Sequence, residues 1–155
     1  MPLRNGASTS FGQLNAGKKS VVLDLKSARA VAAVHRLAER TDVVVQNFRP
    51  GVMRRLGLVD VALGKTNRRL VYCAISGYGQ TGLSATLPAY APVIHAASGY
   101  ELAHMSYQPD RLRPDNCGVY IADVLSGTYA FGAILAALNQ RERTGLVKAV
   151  VDPQE

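Results

Sequence analysis

Apolar residues fall in short runs separated by polar turns, alternating between the two periods expected of an α/β chain. Val43-Val44-Val45 follows Asp42 and stops at Gln46-Asn47, as a short β-branched strand buried on both faces would. Leu70-Val71-Tyr72-Cys73-Ala74-Ile75-Ser76 reads the same way, and so does Ser20 to Leu25, with Val21, Val22, Leu23 and Leu25 around Asp24. Between the earliest strand and the valine run, Ala30, Val31, Val34, Leu37 and Ala38 share one helical face. That spacing predicts a helix from a cap at Ser27 to about Arg40, with Arg29, Arg36 and Arg40 turned elsewhere. Strand, helix, strand in this order predicts a βαβ unit with a right-handed crossover.

Pro50 ends the valine strand and opens a short helix over Gly51 to Leu56, because its fixed φ suits a first helical turn. Val59 to Gly64 adds a helical turn, and Val93 to Ala97 a short helix ending near Gly99. The longest helical pattern runs from Asp123 to Arg143, with Arg141 and Arg143 in its last turn and Gly145 just beyond. Residues 1 to 12 read as loosely ordered, His104 to Cys117 as a loop, and Val147 to Val151 as a last strand. The whole is a single α/β domain over residues 1–155. Its fold is a partial Rossmann-like, open, mainly parallel sheet with flanking helices and a long C-terminal helix.

Composition narrows this little. The chain has 155 residues, 48% of them hydrophobic, enough for one core. No apolar run reads as a membrane span, and Met1-Pro2-Leu3-Arg4-Asn5-Gly6 lacks a signal-peptide core, so a cytoplasmic, non-membrane protein is expected. Cys73 and Cys117 have no metal-ligand spacing around them, and no metal is expected. The net charge of +7 suits nucleic acid or an anionic cofactor. With no zinc-finger, RNP-like or basic heptad pattern, nucleic acid is the weaker choice. His35, His95 and His104 have no acid or nucleophile beside them in sequence and read as structural or surface residues.

Several blocks then resemble one family. Asn47-Phe48-Arg49-Pro50-Gly51-Val52-Met53 with Arg55-Leu56-Gly57-Leu58, Leu23-Asp24-Leu25-Lys26, and Tyr72 to Gly82 are similar to segments of the class III CoA-transferases. This CaiB/BaiF type includes formyl-CoA transferase and the alpha-methylacyl-CoA racemases. Tyr120-Ile121-Ala122-Asp123-Val124-Leu125-Ser126-Gly127 resembles the family block whose aspartate is the nucleophile. The resemblance implies coenzyme A, as acyl-CoA substrate, held by Leu23, Lys26, Asn47, Phe48, Arg55, Ala89 and Tyr90. It implies catalysis by Asp123, exchange of CoA with a carboxylic acid acceptor, and a homodimer in the full-length family. On their own, Leu23 reads as core, Lys26 as a solvated helix start and Asp123 as a plain N-cap.

Racemases pair the aspartate with a histidine where Tyr90 stands here. An unperturbed tyrosine pKa of about 10 makes it a poor α-proton base, which favours the transferase branch over the racemase alternative. A non-catalytic basic module binding CoA, nucleic acid or a protein partner is the other alternative. The resemblance covers about residues 10 to 152, the central part of the family's large domain. Family members also have an earlier strand-helix-strand unit and a later small domain. Asn67-Arg68, His95 and Thr144-Gly145-Leu146-Val147-Lys148 depart from the family pattern, glutamine being common at the histidine's place. A truncated or degenerate fragment is expected.

Overall fold

The computed structural model describes residues 3–4, 6–115, 118–145 and 147. Two parallel strands, β3 (Val43–Gln46) and β4 (Val71–Ala74), form its centre. They pair in register from Val43 with Val71 to Gln46 with Ala74. A two-residue antiparallel pair, β1 (Leu3–Arg4) and β2 (Ala7–Ser8), stands apart from it. Helix α1 (Thr9–Leu14) follows, capped by the Ser8 hydroxyl accepting from the Phe11 amide at 3.2 Å. The expectation of a loose start thus gives way to a small, solvent-exposed turn of structure.

The central pair is covered on both faces, as its unbroken apolar runs require. On one face α2 (Ala28–Ala38), α3 (Val52–Arg55) and α4 (Asp60–Gly64) close over Tyr72 and Ala74, burying Ala38, Met53, Leu58 and Leu63. On the other, α7 (Ile121–Thr144) lays Ala130, Ala133, Ile134, Ala137 and Leu138 against Val71 and Cys73. The three alanines among them let the helix backbone approach the strand closely. All four residues of β4 are buried, whereas Val45 of β3 remains 55% exposed.

The predicted strand at Ser20–Leu25 does not form. Its residues pair with none of the described strands, and Val22 is 94% exposed. A strand needs a neighbour for its ladder, and among the described residues β3 pairs only with β4. Helix α2 sits where predicted, although Ser27 makes no side-chain cap bond and Leu37 points outward. Helix α3 starts at Val52 because Gly51, at φ 82°, takes the cap position, which leaves Pro50 outside the helix.

After α5 (Ala91–Ala97), Gly99 at φ 75° turns the chain into α6 (Tyr100–Met105), a helix that the sequence reading lacked. The proposed strand Val147–Val151 lies outside the described residues apart from Val147, which packs beside α7. Helix α7 also departs from one expectation. By length and composition its 24 residues are apolar enough to cross a bilayer, because alanines and large aliphatic residues interspersed along it raise the mean hydropathy. Its small-residue face nevertheless serves the core. Val124, Leu125, Tyr129, Phe131 and Leu135 lie exposed.

Candidate active site

The direction of α7 decides where Asp123 stands. At its far end Arg141 is buried, donating to the Arg69 carbonyl at 2.9 Å and to Asp42 Oδ1 at 3.0 Å. Asp42 and Arg69 lie just before β3 and β4, so α7 runs antiparallel to both strands. The eighteen helical steps from Arg141 back to Asp123 span about 27 Å, against about 13 Å for a four-residue strand. The start of α7 therefore projects past the C-terminal ends of the strands. In open α/β sheets that is the edge where ligands bind.

Asp123 is the third residue of the helix and not its cap; Tyr120 holds that position without a side-chain hydrogen bond. The carboxylate is exposed, free of capping duty, and close to the positive end of the helix dipole. Beside it, the Ala122 amide donates to Nε2 of the buried His95 at 3.1 Å.

At the same edge, Gln46 is buried and its Oε1 accepts the Phe48 amide at 2.7 Å. This bond turns the chain sharply after β3 and leaves Asn47 and Phe48 exposed at the corner. A cavity of about 840 Å³ opens below it, lined by Gln46, Arg49, Met53, Arg54, Tyr72 and Gln80. A second cavity, about 470 Å³, brings Lys26 and Arg55 together over an apolar wall from Leu25, Val31 and Leu56. Two cationic side chains above an apolar wall suit a phosphorylated ring system.

Leu23 is half-buried and does not line that cavity; Leu25 does. Asn47, Phe48 and Asp123 line neither. Ala89 meets the glycine loop instead. A Cβ placed on Gly77 would lie 2.0 Å from that of Ala89, so only glycine allows the loop after β4 to touch the segment leading into α5. Tyr90 occupies the α5 cap position and is exposed. The structure thus joins Lys26 with Arg55 and sets Asn47, Phe48 and Asp123 at one sheet edge. Leu25 and His95 are the residues that sequence reasoning missed. Leu25 was legible as the next apolar residue before Lys26, but nothing local pointed from His95 to the start of α7. Among the described residues, no group of three or more His, Cys, Asp or Glu is placed to hold a metal.

The family model for CoA-transferase family III matches residues 1–152. The chain belongs to this family. Relatives of this family III chain include the acetyl-CoA:oxalate CoA-transferase of Acetobacter aceti, 40% identical over 144 residues. That match covers 93% of this chain and 36% of the relative. The succinyl-CoA:glutarate CoA-transferase of Mus musculus is 39% identical, with 93% of this chain and 32% of the relative covered. A solved CAIB/BAIF family protein from Brucella suis superposes with a TM-score of 0.84 at 33% identity. It covers 96% of this chain and 39% of the other. The chain spans about a third of the length of these family III relatives.

Proposed function

We propose that this chain carries the nucleophile and part of the CoA site of a CoA-transferase, moving CoA from an acyl-CoA donor to a carboxylic acid acceptor. Asp123 attacks the thioester carbon, forming an acyl-aspartyl anhydride as CoA leaves as the thiolate. The thiolate then attacks the aspartyl carbonyl, giving an aspartyl-CoA thioester and releasing the donor acid. The acceptor carboxylate attacks that thioester, again expelling CoA thiolate, which finally takes the acceptor's acyl group and frees Asp123. Lys26 and Arg55 hold the nucleotide end, while Leu23, Asn47, Phe48, Ala89 and Tyr90 complete the contacts to CoA. The observation that carries this reading is an exposed carboxylate in the first turn of the sole long helix among the described residues, at the ligand-binding edge of a parallel sheet.

The chain supplies the central part of a larger, cytoplasmic unit, a homodimer when complete. Backbone amides of the Gly77–Gly82 loop are suited to stabilise the anhydride oxyanions. Tyr90, exposed at the α5 cap where the racemases carry a histidine, supports the transferase branch over the racemase branch. Incubation with succinyl-CoA, then hydroxylamine, then mass spectrometry tests the proposal. A hydroxamate on Asp123 that disappears in Asp123→Asn is the expected result. CoA binding without any label would leave a CoA-binding protein with no transferase chemistry.

A further inference from the structure

His95 lies two residues before the end of α5 and is 2% exposed. Both ring nitrogens are engaged. Nε2 stands 3.1 Å from the Ala122 amide nitrogen, and Nδ1 stands 3.2 Å from Glu101 Oε1. A backbone amide can only donate, so Nε2 carries no proton and the ring's proton sits on Nδ1, donated to the carboxylate. The Tyr100 ring lies 4.9 Å from the imidazole, centroid to centroid, and restricts its tilt.

Glu101 is itself buried, and its Oε2 has no partner among the described residues. A carboxylate taken from water for a single donor is a costly arrangement. It orients the imidazole and selects its tautomer. The Ala122 amide is one of the first-turn donors that a helix start leaves open, and Tyr120 supplies no side-chain cap. The histidine therefore caps α7 from a different helix, at the residue next to Asp123.

We propose that His95, oriented by Glu101, is a positioning residue for the Asp123 nucleophile. Its unprotonated Nε2 fixes the first turn of α7, so the carboxylate is held where it meets the thioester carbon. This rests on the transferase reading given above. The imidazole touches neither CoA nor the reacting atoms; it acts through the Ala122 peptide. Because the neutral ring with its proton on Nε2 has no acceptor there, the device works only in the Nδ1–H tautomer.

Two measurements on the full chain test this. Long-range proton–nitrogen correlation of ring-labelled histidine reads the tautomer directly, and Nδ1–H with a bare Nε2 is expected for His95. The succinyl-CoA label on Asp123 is then timed in His95→Gln and His95→Leu, with folding checked by circular dichroism and CoA affinity by calorimetry. Glutamine offers a carbonyl acceptor and an amide donor in place of the two nitrogens; leucine offers neither. The leucine variant should acylate about a hundredfold more slowly, the loss that a misplacement near 1 Å produces, with CoA affinity unchanged. The glutamine variant should retain most of the wild-type rate. If the leucine variant does not fold, the tautomer and the glutamine variant decide. A proton on Nε2 in the wild type, or a folded glutamine variant that has lost the wild-type rate, overturns the proposal while leaving Asp123 as nucleophile. A wild-type chain that never acquires the label refutes the nucleophile itself, and the positioning role falls with it.

Discussion

Replacing Gly77 by alanine tests how the glycine loop is joined to the segment before α5. The added Cβ would lie 2.0 Å from the Ala89 Cβ, 3.3 Å from Ile94 Cδ1 and 3.4 Å from the Ala89 Cα. Carbon atoms pack best at about 3.5–4.0 Å, so the two methyl groups overlap by about 1.5–2 Å. Neither has a rotamer through which to escape, and the backbone has to move. Gly77 is not among the glycines with positive φ, so backbone strain adds nothing and the whole effect comes from contact. Overpacking of this kind costs about 1–3 kcal/mol, and the exposed loop places the expected value in the lower half. Urea denaturation followed by circular dichroism measures it, and a thermal melt should show a fall in Tm of about 2–4 °C for each kcal/mol in a chain of this size. The reciprocal change, Ala89→Gly, removes the opposing methyl and leaves contacts of 3.3–3.4 Å. In the double variant the penalties should therefore not add, with a coupling of about 0.5–3 kcal/mol in favour of the pair. A neutral Gly77→Ala, or a double variant as unstable as the sum of its parts, would refute the close approach.

Arg141→Met should lower stability by about 1–3 kcal/mol, because it removes a buried side chain's bonds to Asp42, Glu142 and the Arg69 carbonyl. The 75% exposed Asp42 side chain keeps its hydration, so Asp42→Asn should cost less; equal losses in urea melts would contradict this account. Cys73 is fully buried, and desolvation pushes its thiol pKa up. Its contribution to stability is complete below the unfolded thiol's pKa and is lost as pH rises through the folded one. Stability measured from neutral to alkaline pH should thus decline more steeply in the wild type than in Cys73→Ala; parallel curves would show that the thiol is not desolvated.

Much of this protein was legible in its linear pattern. The β-branched run at Val43–Val45, the apolar run into Ala74 and the helical spacing of Ala30 to Ala38 each name their own element, because burial on two faces or on one leaves a local signature. The short blocks around Asn47, Lys26 and Asp123 likewise marked the family before any coordinates, since several specific residue strings in the right order identify a family where periodicity alone does not. What the pattern left undecided were relations between distant residues. Ser20–Leu25 has strand-like residues, yet a strand exists only where a neighbouring edge accepts its hydrogen bonds, and none of the described strands does. Arg141 looked like a dipole partner in a last turn; folding made it the buried clamp that orients α7 against the sheet. His95 had no chemistry beside it in sequence, because the amide it accepts from lies 27 residues away. Local periodicity records which face of an element is covered, whereas only packing decides which element covers it, and on that choice depends where the Asp123 carboxylate stands.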